Sequence, residues 1–466
     1  MSQSRNLNVA PATAPSQSGG SGAITGELPA YRRSERAPES RRDRWLTGSA
    51  ALPLGLAFLV GMVGCTTLIV LDASVLRSGI VPHQPSIAGY LQALGSRLDF
   101  KTFLIALLAM TACYAGVVVV GRALPLRVVV GAIVLLHLIV LAGPILLSQD
   151  VFSYIAYARL GVEHGLNPFT HGPAAAAHDS VFPYVGIVWR HTPAAYGPLW
   201  TLASYPVAPL GLEASLWVMK VVAGAASLGT VWLVWRSARR LGRDPLLPTL
   251  LLGLNPLLII YDVGGVHNDL VMGFFMMLGV WLTLEARDGL GAAAVIAGAA
   301  VKATCAVVLP FMLLSRRRLS LISGTVIALA AIAVVSVAVF GTHALDFVSV
   351  LRRQQSFVST DSFPNEVAHL FGRAGVFPVD RALLRVALGL VAAYLLFRVW
   401  RGYDWISASG WTLLAIAVTT TWLLAWYVIW TLPLAVIARD RRLLWATLAV
   451  GALFIAHQTS PLFSPL

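Results

Sequence analysis

Charged side chains are scarce in this sequence of 466 residues. They occupy 12% of the positions, whereas hydrophobic residues occupy 57%. A soluble domain is closer to a quarter charged, so this composition excludes an ordinary soluble protein. The hydrophobic residues also occur in runs, and about 20 apolar residues are enough for a helix to cross a hydrocarbon layer of about 30 Å. We therefore expect an all-α integral membrane protein.

Cysteine is rare as well. The three cysteines, Cys65, Cys113 and Cys305, lie inside apolar runs and lack the spacing of a disulfide framework or a metal site. The sequence also lacks an HExxH motif, a Walker motif and a GxGxxG pattern in a strand-to-helix context. We therefore predict no metal site and no cofactor.

Acidic residues number only 21 against 34 lysines and arginines, which gives a formal charge of +13. Such a balance could indicate a nucleic-acid partner, but the arginines are not gathered on one segment. They form clusters between apolar runs, as at 236–243, 316–318 and 439–442. This arrangement is typical of cytoplasmic loops. The charge therefore indicates membrane topology, and we expect no nucleic-acid partner.

The order of apolar runs and basic clusters predicts a bundle of about 13 transmembrane helices in the plasma membrane. Residues 1–44 are rich in Ser, Gly, Pro and Ala and predict a disordered cytoplasmic tail, which leaves 45–466 as the membrane domain. Two long segments, 148–213 and 341–380, are predicted to be extracytoplasmic loops.

Two other segments lie between basic clusters that both look cytoplasmic, so a single span cannot connect the clusters. We therefore predict that each segment is a pair of short helices. Residues 289–314 would turn near Lys302, and residues 411–438 would turn near 422–427.

The first long loop opens with the sequence LLSQDVFSYIAYARLGVEHGLNPF. Apolar residues after Asp150 recur at helical spacing, which predicts an amphipathic helix along the outer membrane surface. Asp150 lies at its start. A carboxylate there can simply cap the helix, but ionisable residues at membrane depth are also candidates for function.

The same loop contains many aromatic residues between Trp189 and Trp200, in the sequence WRHTPAAYGPLW. Aromatic rings beside hydrogen-bonding groups suit a sugar, because its C–H faces pack on rings while its hydroxyls bind polar partners. The alternative is an aromatic belt that anchors the loop at the membrane interface.

Four segments together resemble a known family. They are Asp150 with the following VFSYIAYARLGVEHGLNPF, HTPAAYGPLW from His191, VHNDL from Val266, and WYVIWTLPL from Trp426. They resemble the polyprenyl-phosphomannose-dependent α-1,6-mannosyltransferases of actinobacterial lipomannan synthesis, members of the C-type glycosyltransferase superfamily. The resemblance extends over most of the chain from about residue 50.

This resemblance implies a C-type bundle with its active site on the extracytoplasmic face. The donor would be polyprenyl-phosphate-mannose, the acceptor a lipid-anchored mannan, and the product an α-1,6 linkage. The catalytic Asp of such enzymes lies in a long extracytoplasmic loop, and Asp150 matches that position. Because this loop follows the third apolar run rather than the first, Asp72 is a second candidate. A single essential carboxylate acting as general base predicts inversion.

The leaving phosphate requires cations, and the basic residues available outside the membrane are Lys302, Arg352, Arg353, His267 and His369. Lys302 could instead reach to the membrane surface, and the arginines could form a solvated pair. We expect the sugar and acceptor to contact a second set of residues, of which Asn268 and Asp269 could alternatively cap a helix. This set comprises Tyr154, His191, Tyr196, Trp200, Asn268 and Asp269.

Two other functions remain open. A transferase of the same architecture could use polyprenyl-phosphoarabinose, because the sequence does not locate the few contacts that distinguish the sugars. A multi-span lipid or sugar transporter would also have many helices, but it predicts internal repeats and ionisable residues in the middle of several spans, which the sequence lacks.

Overall fold

The computed structural model describes residues 50–77, 100–316 and 319–460, so the predicted tail at 1–44 lies outside the described residues. Within these ranges the secondary structure is helical and no β-strand occurs, which confirms an all-α fold. The helices up to the second half of the chain are α1 (Ala51–Arg77), α2 (Phe100–Val120), α3 (Leu126–Ala142), α4 (Asp150–Val162), α5 (Pro198–Ala203), α6 (Gly211–Arg240), α7 (Leu246–Gly253), α8 (Asp269–Leu284) and α9 (Asp288–Val301).

The remaining helices are α10 (Val308–Arg316), α11 (Leu319–Phe340), α12 (Phe347–Gln354), α13 (Phe363–Leu370), α14 (Pro378–Trp400), α15 (Trp405–Thr419), α16 (Leu432–Ala435) and α17 (Arg441–Thr459). A π-helical segment, Leu257–Val263, follows α7.

Five helical stretches of the described chain are long and apolar enough to cross a membrane, and a sixth is obtained if α7 and the π-helical segment, bent by 46°, form one span. The other apolar helices contain 10–17 residues. These findings support a helical membrane protein, and the number of about 13 crossings stays a prediction. The five stretches are Ala51–Leu71, Phe100–Ala123, Pro198–Arg240, Leu319–Leu345 and Pro378–Trp400.

The spans differ in how much of their surface other helices cover. Only 11% of the most apolar part of α11 and of α14 is buried. The corresponding value for the stretch that contains α6 is 56%. The exposed side chains of α11 and α14 are largely Leu and Val. In a membrane such faces meet lipid, so α11 and α14 lie at the outside of the bundle and α6 lies inside it.

Two apolar helical stretches are interrupted. α9 ends at Val301, Lys302 is extended (φ −146°, ψ 122°), and a 3₁₀ turn at Ala303–Val307 leads into α10. α15 ends at Thr419, and a 3₁₀ turn at Ala425–Trp430 precedes α16. The predicted breaks near Lys302 and near 422–427 are therefore confirmed.

The helix that begins at Asp150 is confirmed, but its predicted surface position is wrong. Nine of the thirteen residues of α4 are buried, on all sides of the helix. The rest of the first loop covers its polar side. The hydroxyl of Tyr157 donates to the backbone oxygen of Thr192 (2.8 Å), and Arg159 pairs with Asp179 (2.9 Å).

The second long loop is tied to the break after α15. The backbone N–H of Ser359 donates to the carbonyl oxygen of Thr421 (2.8 Å). The Ser359 hydroxyl donates to the carbonyl oxygen of Leu423 (2.7 Å). The hydroxyl of Thr421 in turn donates to the carbonyl of Phe357 (2.8 Å). These bonds satisfy backbone groups that the helix break leaves open, and they hold the loop beside the break.

Candidate active site

A cavity of about 250 Å³ lies where the first loop, α12 and the two helix breaks meet. Asp150 and Lys302 are the ionisable residues in its lining. Aromatic side chains form most of the remaining wall. The lining comprises Asp150, Trp189, Ala195, Tyr196, Lys302, Ala303, Thr304, Leu351, Gln354, Gln355, Ile416, Thr420, Trp422, Leu424, Trp426, Tyr427 and Trp430.

Asp150 is the first residue of α4, but its side chain does not cap the helix. Gln149 occupies the N-cap position, and the backbone N–H of Asp150 donates to the Ser148 hydroxyl (3.2 Å). The Asp150 side chain is 19% exposed, which places an open carboxylate at the wall of the cavity. Asp150 is therefore not the N-cap residue, although its carboxylate lies in the first turn, where it suits the helix dipole.

The nearest basic group is the ring of His267. Its Nδ1 lies 3.4 Å from Oδ2 of Asp150, and the residue is fully buried. The ring stacks on Trp426, with centroids 3.6 Å apart and an interplanar angle of 22°. Because neither ring nitrogen makes a hydrogen bond within the described structure, the Asp150 carboxylate is the polar group that the imidazole faces. His267 does not line the cavity.

The backbone that delivers these two side chains is strained. Leu147 (φ 58°) and Val266 (φ 56°) adopt the left-handed conformation. This conformation is uncommon for leucine and is an outlier for valine, which is β-branched. Strain of this kind costs about 1–3 kcal/mol per residue and is concentrated at functional sites. A hydrogen bond from the N–H of Leu146 to the carbonyl of Gly264 (2.8 Å) joins the two segments and so fixes Asp150 relative to His267.

Lys302 forms an ion pair within the protein. Its Nζ contacts both carboxylate oxygens of Asp269 at 2.7 and 2.8 Å. The indole N–H of Trp430 donates to the same carboxylate. The ammonium also lies over the rings of Tyr427 and Trp430, at 4.9 and 5.1 Å. Asp269 is thus paired rather than a simple helix cap, and Lys302 presents a partly neutralised cation to the cavity.

Of the other predicted sugar-binding residues, Tyr196 lines the cavity, and Tyr154, Trp200 and Asn268 lie behind it. The hydroxyl of Tyr154 donates to Oδ1 of Asn268 and accepts from its backbone N–H, both at 3.3 Å. Tyr154 packs edge to face against Tyr196 (4.8 Å) and Trp200 (5.2 Å). Burial raises the pKa of Tyr154 and Tyr196, and the charge of Asp150 adds to both shifts. Both phenols therefore stay neutral.

Gly197 explains why Tyr196 and Lys302 meet. Its N–H donates to the carbonyl of Val301 (3.0 Å), and a Cβ at this position would lie 2.1 Å from the backbone oxygen of Ala300. Only glycine permits this close approach of the backbones. The first loop is thereby joined to the chain immediately before the break at Lys302.

Three predicted residues are exposed and do not line the cavity. His191 is exposed on the first loop, and Arg352 and Arg353 are exposed on α12, although Leu351 and Gln354 of that helix line the cavity. The side chain of Asp72 lies outside the described residues.

Sequence reasoning missed most of the aromatic wall: Trp422, Tyr427 and Trp430 were not predicted as site residues, nor was Gln354. The signal for the aromatic residues was their density in a segment already predicted to turn between two short helices. Sequence reasoning also missed Asp262, a fully buried carboxylate of the π-helical segment, which lines a small chamber together with Asp269 and Trp430.

A separate ionic cluster stabilises the first loop. Glu163, His164 and Asp179 are close enough to share a cation, but the Arg159 guanidinium already contacts both carboxylates, at 2.7 and 2.9 Å. Burial alone would raise the pKa of Asp179. Hydrogen bonds from the N–H of Val181, from His164 and from Arg159 outweigh that effect and hold this pKa below its ordinary value. The cluster is therefore satisfied within the protein.

The fold and the cavity define a helical membrane protein whose polar site lies at breaks in apolar helices. Residues 58–318 match the family model "Alpha-(1->6)-mannopyranosyltransferase, N-terminal domain". The chain belongs to this family.

Curated relatives agree with that assignment. Alpha-(1->6)-mannopyranosyltransferase A of Mycobacterium tuberculosis is 31% identical over 334 residues, which cover 63% of this chain and 62% of the relative. Alpha-(1->6)-mannopyranosyltransferase A of Corynebacterium glutamicum is 30% identical over 178 residues, 37% of this chain and 36% of the relative. The chain thus matches less than two thirds of the length of either protein. No solved structure matches it significantly.

Proposed function

We propose that the protein is a membrane glycosyltransferase that moves mannose from polyprenyl-phosphate-mannose to an α-mannoside of a lipid-anchored mannan, with formation of an α-1,6 linkage. The observation that carries the proposal is an open carboxylate, Asp150, at the wall of an aromatic cavity in a chain of this family.

Asp150 would act as the general base. As the acceptor hydroxyl attacks the anomeric carbon, its proton passes to the carboxylate, a new C–O bond forms, and the bond from the anomeric carbon to phosphate breaks. The electron pair of that bond leaves with the polyprenyl phosphate. Attack opposite the leaving group converts a β-linked donor into an α-mannoside, and no second carboxylate is required as a nucleophile.

The aromatic wall of the cavity suits a sugar. Trp426, Tyr427 and Trp430 offer ring faces to C–H groups, and Gln354 and Gln355 offer amides to hydroxyls. Because these residues come from the second helix break and from α12, a sugar in the cavity would contact both.

The leaving phosphate develops negative charge and requires cations. Lys302 lines the cavity, but its charge is shared with Asp269. We propose that Arg352 and Arg353, one helical position away from cavity-lining residues of α12, supply the remaining charge when the second loop closes over the donor. An arginine fork matches two phosphate oxygens.

We further propose that the helices form a C-type bundle with about 13 crossings in the plasma membrane. In this arrangement the segments 148–213 and 341–380 face the extracytoplasmic side. Nucleotide sugars are cytoplasmic, so an outward-facing transferase would need its donor on a lipid carrier.

The decisive experiment is a membrane assay that offers polyprenyl-phosphate-mannose or polyprenyl-phosphoarabinose to a short α-1,6-mannoside. We expect mannose transfer, and linkage analysis should find a new α-1,6 bond. If only arabinose were transferred, the donor would be polyprenyl-phosphoarabinose and not polyprenyl-phosphate-mannose. Movement of intact labelled donor across sealed vesicles without a glycosidic product would favour a transporter instead.

A further inference from the structure

A second crevice, of about 540 Å³, lies between α14 and α15 and reaches the start of α17. It shares no lining residue with the cavity at Asp150. Its long wall is apolar and its far end is cationic and aromatic. The lining comprises Val391, Tyr394, Leu395, Arg398, Tyr403, Trp411, Leu414, Ala415, Val418, Asp440 and Arg442.

The carboxylate at the cationic end, Asp440, is already hydrogen-bonded within the protein. Asp440 accepts hydrogen bonds from the hydroxyl of Tyr403 (2.7 Å), the indole N–H of Trp411 (3.1 Å) and the backbone N–H of Arg442 (2.9 Å). These donors are neutral, so they fix the carboxylate without using an arginine.

The charge of Asp440 interacts with both Arg398 and Arg442, but two cations face one carboxylate, so this end of the crevice keeps a net positive charge. The Arg398 guanidinium donates to the hydroxyl of Tyr394 (2.8 Å) and lies over the ring of Tyr403 (4.7 Å). Within the described chain neither Arg398 nor Arg442 forms an ion pair with a carboxylate, and both are exposed. A phosphate between them could accept charge-assisted hydrogen bonds from both.

The position of the crevice indicates the occupant. α14 is a candidate membrane span with a largely uncovered apolar surface, so the crevice opens where acyl chains lie. Its cationic end belongs to the basic clusters that predict the cytoplasmic face, where anionic lipids bind basic pockets between helices. A polyprenyl-linked donor would instead approach the opposite face, where Asp150 is predicted to lie.

We propose that this crevice binds one anionic phospholipid, with its phosphate between Arg398 and Arg442 and an acyl chain along Val391, Leu414 and Val418. The site is independent of the proposed transferase reaction. Its chemistry selects a headgroup with net negative charge, since no carboxylate at this end is free to receive the ammonium of a zwitterionic lipid.

The test measures lipid retained by the purified full chain, by native mass spectrometry after exchange into equal amounts of phosphatidylglycerol and phosphatidylcholine. We expect phosphatidylglycerol to bind preferentially. The double variant Arg398→Gln/Arg442→Gln should weaken its binding by about tenfold or more, the equivalent of one charge-assisted hydrogen bond of about 1.4 kcal/mol.

The matched control is Arg401→Gln/Arg441→Gln, which removes the same charge from neighbouring exposed positions outside the crevice. It should retain wild-type binding. A third variant, Val391→Trp, fills the apolar wall from an exposed position and leaves both arginines in place, so it should also reduce binding without depending on how the double variant folds.

Equal loss in both double variants, or equal binding of phosphatidylcholine, would reject the site. Displacement of phosphatidylglycerol by equimolar polyprenyl phosphate would also overturn the proposal, because the crevice would then take the polyprenyl lipid. None of these three results bears on catalysis, which the mannose-transfer assay measures separately.

Discussion

Nδ1 of His267 lies 3.4 Å from Oδ2 of Asp150, although 117 positions separate the two residues in sequence. The imidazole is fully buried and stacked on Trp426, so it cannot bind a donor phosphate directly without leaving the core. Its position assigns His267 to the support of the proposed base. We therefore propose a positioning role for His267 in place of the predicted role as a phosphate ligand.

Asp150→Asn should reduce mannose transfer by about 100-fold or more, because the amide keeps the size of the side chain and loses its basicity. Turnover of the folded variant in membranes is the measurement. Asp346→Asn, an exposed carboxylate of the second loop, is the matched control and should retain activity. If Asp72→Asn abolished transfer while Asp150→Asn remained active, the base would lie at Asp72 instead.

His267→Gln should lower kcat by about 10- to 100-fold, because a misplaced base loses the advantage of fixed geometry. The KM for the lipid donor should change little, since His267 does not line the cavity. Steady-state kinetics with varied donor separates the two parameters. A rise in donor KM with unchanged kcat would instead indicate that His267 binds the donor phosphate.

Lys302→Met should both destabilise the protein and raise the donor KM. It leaves the Asp269 carboxylate buried beside Trp430, and breaking a buried pair costs about 3–5 kcal/mol. The double variant Lys302→Met/Asp269→Asn should regain melting temperature without regaining activity.

Arg352→Lys and Arg353→Lys, by contrast, should raise donor KM at unchanged melting temperature. Donor KM unaffected by either arginine would assign the phosphate to Lys302 alone.

Acid should weaken the first loop through Asp179. Its pKa in the folded protein lies below the ordinary value of 3.8, so its interactions stabilise fully above that pH and are lost as the pH falls through the folded-state pKa. Asp179→Asn should therefore melt several degrees lower than wild type at pH 7, and the difference should shrink below pH 4. A constant difference across that range would show that the carboxylate charge is not involved.

The topology can be tested with an impermeant thiol reagent in whole cells. Ser180→Cys and Thr360→Cys introduce exposed thiols into the two long loops; Thr360 is preferable to Ser359, whose hydroxyl is hydrogen-bonded to Leu423. Both should react in intact cells carrying a background without Cys65, Cys113 and Cys305. Reaction only after the membrane is opened would place these loops inside.

The sequence by itself determined the helical membrane class, the family and the approximate positions of both helix breaks. These features follow from local properties: the length of apolar runs, the placement of arginines, and short motifs such as YGPLW. It also located Asp150, because a carboxylate beside an apolar run costs free energy unless it is partnered or used.

Only the tertiary structure decided which residues meet Asp150. The pairs Asp150 with His267, Asp269 with Lys302, and Gly197 with Val301 join segments far apart in the chain, and no periodicity encodes such contacts. Hydrophobic spacing placed α4 on the membrane surface, whereas its polar side chains are in fact covered by the loop that follows. Periodicity reports which side chains are apolar, but packing of distant segments decides which of them are buried.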